Sequence, residues 1–273
     1  MARIIGIGET VYTITLRNNV PQSGAPGGEI FETLLHLGEQ GADVALISEV
    51  GDDRLGKKIL EYMQQRGVKT EGMCVFYEGN TALCISHREE DGSEYKDFYR
   101  LYPPTGRLDV VWPRIDPNDF ILFGGKYALE PTVSSVVNEI VDYAVERKAI
   151  IVYDAGLHRL GQGENVMLMP QIIDCYEKAD IVVMEDSDAL QLYKTDDPDR
   201  IFRDHIEFYA PVFVMIHNSG SVSYRAAGLA CDLESKGRPH AEIVARLLAG
   251  FNKVGVPKEG LAAALKNLST TLL

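Results

Sequence analysis

Two patterns alternate along the chain: short unbroken apolar runs, and longer stretches in which apolar residues recur every three or four positions. Ile4–Gly8 is a run of the first kind, suited to a buried strand. Strand-forming residues dominate Val11–Leu16, whereas the next stretch, NNVPQSGAPGG over Asn18–Gly28, predicts turns. Ile30, Phe31, Leu34, Leu35 and Leu37 then fall at helical spacing. Val44–Val50 predicts a strand, and Leu55–Arg66 a helix ended by Gly67. Met73–Tyr77, Ala82–Ser86 and Glu94–Tyr99 predict short β segments separated by Glu78-Gly-Asn80 and Glu89-Glu-Asp-Gly92, an antiparallel meander with one polar face. From Asp119 onward strands and helices alternate. The strands are Phe120–Phe123, Ala149–Tyr153, Asp180–Met184 and Val212–Ile216; the helices are Thr132–Lys148, Val166–Ala179, Ser187–Tyr193 and Asp199–Phe208. Ala241–Phe251 and Lys258–Leu268 predict two closing helices, the second preceded by Pro257. Together these elements predict an α/β fold: a mostly parallel sheet covered by helices on both faces, joined by right-handed crossovers.

Charge and composition narrow the function. The 273 residues carry 40 Asp and Glu against 27 Lys and Arg, a formal net charge of −13, which argues against a nucleic-acid binder. No apolar run approaches the ~18 residues of a membrane span, and no signal-peptide pattern precedes the first strand, so a cytoplasmic location is expected. The four cysteines, Cys74, Cys84, Cys175 and Cys231, show no C-x-x-C spacing and read as buried, reduced thiols, although Cys74 and Cys84 would flank a hairpin.

Several motifs carry less than they suggest. Gly51–Lys58 fits G-x4-G-K, but it lacks the following Ser/Thr and places Asp52 and Asp53 where phosphates would be cradled; it reads as a strand–helix turn. Gly6 and Gly8 supply two glycines of a dinucleotide fingerprint without the third. The histidines at 36, 87, 158, 205, 217 and 240 form no metal-binding spacing, and no G-x-S-x-G is present.

A longer pattern is more specific. Gly27-Gly28 precedes a helix, and Leu37-Gly38…Gly41-Ala-Asp-Val-Ala-Leu-Ile-Ser-Glu-Val-Gly51-Asp-Asp53-Arg-Leu-Gly56 follows. Further on come Asp119–Gly124, Ile150–Asp154, Ala179–Leu190 and Ala249-Gly250-Phe251. In this order and spacing they resemble the ribokinase-like, or PfkB, carbohydrate kinase family over nearly the whole chain. The resemblance implies a three-layer ribokinase-like fold as one domain over 1–273, with a small β lid from about 11–20 and 73–101 above a sugar. It implies a reaction in which a sugar hydroxyl attacks the γ-phosphate of ATP, with magnesium, and an Asp of a G-A-G-D motif as base. In such a site glycines let a helix N-terminus approach the phosphate. The resemblance also implies a homodimer paired through the lid.

Set against this pattern, the chain departs on the sugar side, the phosphate side and the nucleotide side. The G-A-G-D segment corresponds to Glu242-Ile-Val-Ala245, so Ala245 stands where the base belongs, and G-A-G-D occurs nowhere in the chain. On the sugar side the resemblance points to Thr13, Gly27, Gly28 and Glu32. On the nucleotide side it points to Glu185, Asp188, His217, Gly220 and Glu242, with Asp188 as the magnesium-side residue. The N-x-x-E motif becomes Glu185-Asp-Ser-Asp188, and the D-P-N-x-R turn becomes Asp154-Ala-Gly-Leu-His158. Each position has a plain structural alternative. Asp188 and Glu185 suit the first turn of a helix, Glu32 suits a surface or cap, and Asp154, the most site-like acid, could cap the next turn. Three functions follow: a catalytically impaired, ligand-binding family member; an active kinase with a rearranged site using Asp188 or Glu242; and a dimerising interaction module with exposed apolar residues on the lid's outer face.

Overall fold

The computed structural model describes residues 2–157, 160–161 and 163–268. The strands are β1 (Ile4–Ile7), β2 (Val11–Arg17), β3 (Val20–Gly27), β4 (Val44–Gly51), β5 (Val68–Phe76), β6 (Asn80–Arg88), β7 (Glu94–Leu101), β8 (Phe120–Gly124), β9 (Ile150–Asp154), β10 (Ile181–Glu185), β11 (Val212–Ile216), β12 (Ser221–Ala226) and β13 (Leu229–Glu234). The helices are α1 (Glu29–Glu39), α2 (Arg54–Gln65), α3 (Gly125–Leu129), α4 (Ser134–Glu146), α5 (Glu164–Lys178), α6 (Asp186–Tyr193), α7 (Pro198–Ile201), α8 (His240–Val254) and α9 (Leu261–Leu268).

Nine strands form the main sheet in the order β13-β12-β11-β10-β9-β8-β1-β4-β5. The β12–β13 hairpin and its junction with β11 are antiparallel; every other neighbour pair is parallel. Strand alternation divides the core into two apolar layers. Ile4, Ile150, Val152, Val212 and Val214 pack with α1, α8 and α9 on one face. Ile5, Ile7, Ile151, Tyr153, Phe213 and Met215 pack on the other with Val137, Ile140 and Val141 of α4. The strands between the edges are therefore buried on both faces, as their unbroken apolar runs require.

The second sheet has four strands in the order β3-β2-β6-β7. It corrects two expectations. Asn18–Gly28 is not a series of turns: Asn18 and Asn19, with φ of 50° and 61°, form a tight turn that returns the chain as β3, paired antiparallel with β2. Pro21 and Pro26 are tolerated because β3 is an edge strand and has a neighbour on one side only. The segment at Met73 belongs to the main sheet, where Ser48 pairs with Met73 and Val50 with Val75. Cys74 and Cys84 accordingly sit in different sheets, and all four cysteines are free thiols. The helix expected over Asp199–Phe208 is a short α7 followed by a π-helical turn, Phe202–Ile206. The β12–β13 hairpin was not foreseen.

Two polar clusters join the small sheet to the large one. Asp53 caps α2 through Gly56 N–H at 2.8 Å, and also accepts both the N–H and the hydroxyl of Thr81 at the start of β6, each at 2.8 Å. A Cβ on Gly56 would lie 2.1 Å from the Gly51 carbonyl oxygen, so glycine here serves close packing of the strand–helix turn. Where β7 leaves the small sheet, the buried Arg107 guanidinium donates to Glu49 and Glu130 and lies 3.7 Å from the centre of the Tyr102 ring. Tyr102 donates in turn to Glu9, which also pairs with Arg100. Two of the chain's passages between the sheets, into β6 and out of β7, are thus held by charge-assisted hydrogen bonds.

Candidate functional site

Between the small sheet and the carboxyl ends of the parallel strands lies a cleft of about 430 Å³. Open α/β sheets place their ligand sites at this end of the strands.

Strand alternation builds the roof. Thr13 and Thr15 of β2 share a face with their partners Cys84 and Ser86 of β6, then Phe98 and Lys96 of β7, and Ala25 and Ser23 of β3. Arg88 and Glu94 form the next pair outward. The result is a surface of hydroxyls with one aromatic ring and three charges at its outer end.

The floor comes from α1 and the ends of β8–β10. Gly28 has φ of 144°, and a Cβ there would lie 2.2 Å from the Glu9 carbonyl oxygen, so this glycine is required by the backbone crossing. A Cβ on Gly27 would meet the Glu32 carboxylate at 3.3 Å and the Thr13 hydroxyl at 3.5 Å, which places these three residues together. Glu29 lies against two bare backbones: Gly125 (φ 64°) and Gly156 (φ 52°) would each place a Cβ within 2.6 Å of its Oε2. Asp154 at the end of β9 and Glu185 at the end of β10 also line the cleft.

The inner end is closed by a residue that motif searching passed over. His240, the first residue of α8, directs Nε2 to both oxygens of Asp154 at 2.9 Å and Nδ1 to Glu185 Oε1 at 3.0 Å. Burial alone would lower its pKa; the charges and hydrogen bonds of Asp154 and Glu185 outweigh this and raise it well above the ordinary histidine value. Both ring nitrogens thus face carboxylate oxygens, which favours the protonated ring. The signal for it was Pro239-His240 immediately ahead of the apolar helical run of α8.

Of the residues expected from the resemblance, Thr13, Gly27, Gly28, Glu32 and Glu185 line the cleft. Asp188, His217, Gly220 and Glu242 do not. Asp188 is fully buried; its oxygens accept from Leu157 N–H at 2.9 Å and Glu185 N–H at 3.3 Å, closing a capping box at the start of α6. Burial pushes its pKa up to about 7 against the lowering effect of these bonds. Both Asp188 oxygens are thus engaged by backbone donors, and among the described residues no group of three or more His, Cys, Asp or Glu side chains could hold a metal ion. His217 Nε2 lies 2.8 Å from the Ser223 hydroxyl, and Gly220, at φ 90°, belongs to the β11–β12 turn. Glu242 pairs with Arg238 at 3.1 Å and Arg246 at 3.0 Å. Ala245 is fully buried in the core with Ile243, Val244 and Leu247. His158 falls outside the described residues. Of the side chains assigned to the nucleotide side, Glu185, Asp188 and Glu242 are each engaged by protein partners, and Ala245 has no polar side-chain atom. The cleft residues Glu29, Arg88, Glu94, Lys96 and His240 were not singled out beforehand.

Comparison with known proteins agrees with this architecture. The model of the pfkB family carbohydrate kinases matches residues 23–206. A probable fructokinase of Arabidopsis thaliana is 25% identical over 199 residues, covering 70% of this chain and 59% of that protein. A second probable fructokinase of the same plant is 22% identical, covering 69% of this chain and 56% of its own length. The chain thus spans less than two thirds of these curated relatives. Among solved structures, a Xylella fastidiosa fructokinase with bound ATP superposes with a TM-score of 0.80 at 17% identity, over 99% of this chain and 89% of that one. Aminoimidazole riboside kinase from Salmonella enterica gives 0.76 at 16% identity, over 99% and 92%. These likenesses show a ribokinase-like fold, and no helix among the described residues is long and apolar enough to cross a membrane. With two thirds of its length matched by the family model, the chain belongs to the pfkB family of carbohydrate kinases.

Proposed function

We propose that this chain is a sugar-binding member of the family that has lost efficient phosphoryl transfer, with the four-stranded sheet acting as a lid over the bound sugar. The observation that carries the reading is the contrast between the open roof and floor around Thr13 and Glu32 and the closed inner end at α8. ATP-dependent phosphorylation of a sugar hydroxyl, the reaction of the family, needs a proton acceptor beside the hydroxyl and donors aimed at the transferred group. Ala245 lies inside α8 in the core, so the first turn of α8 that meets the cleft presents His240 and Ala241 instead of a carboxylate. His240, with both nitrogens against carboxylates, cannot take a proton, and Asp154 and Glu185 are engaged in neutralising it.

Calorimetry with Mg-ATP and with a panel of sugars including fructose, alongside an ADP-release assay, tests this. The expected result is saturable sugar binding, no saturation by Mg-ATP up to millimolar concentration, and ADP release at background. Sugar-dependent ADP release would overturn the reading in favour of an active kinase with a rearranged site.

A specific observation supports a second role beside the first. The outer face of the small sheet carries Tyr99 and Tyr95, 56% and 62% exposed, in line with the partly buried Leu83, Ile14 and Ile85. Such a face suits pairing with a second copy of the lid. Sedimentation equilibrium of the wild type and of Tyr95→Glu/Tyr99→Glu tests this role: a dimer that becomes monomeric supports it, and a wild-type monomer at tens of micromolar overturns it.

A further inference from the structure

We infer that the sugar taken up by this cleft carries an anionic group, a carboxylate or a phosphate, which the small sheet binds through Arg88 and Lys96. The inference rests on the sugar-binding reading above and adds the chemical class of the ligand.

Charge is segregated across the cleft. The floor and inner end hold Glu29, Glu32, Asp154 and Glu185 against the single cation His240. The outer end of the roof holds Arg88 and Lys96 against the single carboxylate Glu94. Arg17 is the β2 partner of Arg88 in the β2–β6 pairing, which adds a third cation to the same end of the same face. Like charges on neighbouring strands repel, so this arrangement favours an additional negative charge.

Glu94 pairs with both cations, but only at long range. Its oxygens lie 3.6 Å from Arg88 Nε and 3.5 Å from Lys96 Nζ, beyond good hydrogen-bonding distance, while the Ser86 hydroxyl donates to Oε1 at 2.5 Å. Arg88 presents a planar fork of donors and Lys96 a compact ammonium, and both line the cavity. A carboxylate or phosphate between them would accept from both. The opposite wall, with Glu32 and Glu29, accepts hydrogen bonds and repels anions. A ligand anionic at one end and hydroxylated at the other is therefore oriented, its hydroxyls toward Glu32 and Thr13 and its charge toward β7.

Calorimetry with fructose, fructose 6-phosphate, gluconate and inorganic phosphate, on the wild type and on Arg88→Gln/Lys96→Gln, tests this. Both substituted residues are surface-exposed, and circular dichroism and melting temperature verify the fold. The expected result is that fructose 6-phosphate or gluconate binds about tenfold or more tightly than fructose, the size of one charge-assisted hydrogen bond. The double variant loses that preference. Which anionic sugar wins separates the phosphate from the carboxylate. Equal or tighter binding of fructose overturns the inference and leaves the sugar-binding reading standing. Inorganic phosphate binding as tightly as either sugar anion, or a preference unchanged in the double variant, overturns it as well. Failure of every sugar to bind overturns both.

Discussion

The two ends of the cleft are built from the same kinds of residue and differ in what those residues face. At the outer end, Glu32, Thr13, Thr15, Arg88 and Lys96 line open space under the small sheet. At the inner end, Asp154, His240 and Glu185 face one another, Asp188 faces backbone amides, Asp186 faces Asn218, and Glu242 faces two arginines. Polar groups withdrawn from water must find partners. The inner end finds them within the protein at short distances, whereas at the outer end Arg88 and Lys96 meet Glu94 only at 3.6 and 3.5 Å. A list of charged residues would not separate the two ends; the difference lies in satisfaction.

The strongest test of this contrast is Ala245→Asp. If the inner end lacked only its carboxylate, this change would restore a base. Position 245 instead packs among Ile243, Val244 and Leu247 with no exposure. An unpaired carboxylate there is expected to cost about 3–4 kcal/mol and to lower the melting temperature by about 10 °C, without sugar-dependent ADP release. A variant that melts like the wild type and releases ADP would break the comparison.

His240→Ala comes next. It leaves the buried Asp154 without its cation and is expected to cost about 3 kcal/mol. The same triad gives stability a pH dependence. The folded-state pKa of His240 is raised above its unfolded value near 6.5, so the triad's contribution is complete below that pH and is lost as pH rises through the raised value. Asp188 acts in the same direction. Its pKa, raised from 3.8 to about 7 chiefly by burial, makes ionisation costly in the folded state, so stability falls between those values as pH rises. Urea unfolding at stepped pH should show stability declining toward alkaline pH, with a smaller alkaline decline in His240→Ala. An unchanged slope would remove His240 as an imidazolium.

The unequal legibility of the two sheets has the same physical root. Val44–Gly51, Phe120–Gly124 and Ile181–Glu185 were visible as apolar runs because both their faces are buried. β3 was hidden because four of its first six residues are polar or turn-forming, including Pro21 and Gly24, and its partner's hydrophobicity lies on the other face. Among the residues lining the cleft, the resemblance pointed to Thr13, Gly27, Gly28 and Glu32, whose spacing around α1 is local. His240 escaped because its partner Asp154 is 86 positions away. Pairings of this kind arise from the strand order, which no local spacing encodes. The cavity-facing Arg88 and Lys96 escaped because a hairpin's inner face is defined only once its register is known.

A smaller effect is expected at the joint between the sheets. Asp53→Ala removes a helix cap and the bonds to Thr81. A cost of about 1–2 kcal/mol is expected, with amide exchange rising first in β6. Uniform loss of protection across both sheets would show that Asp53 serves α2 alone.

The smallest effect on stability belongs to the outer end. Glu32 is exposed to the cleft and lies in the first turn of α1 without capping it. Glu32→Gln keeps the shape and removes the charge, so the melting temperature should stay within the shift of about 0.5 kcal/mol typical of surface changes. Sugar affinity should fall about tenfold, because a carboxylate accepts more strongly from a hydroxyl than an amide does. The pairing of these two readouts separates the ends of the cleft: at the inner end a lost charge is felt as stability, and at the outer end as binding. A Glu32→Gln protein that melts several degrees lower, or binds sugar as the wild type does, would place Glu32 with the internally satisfied residues and erase the distinction.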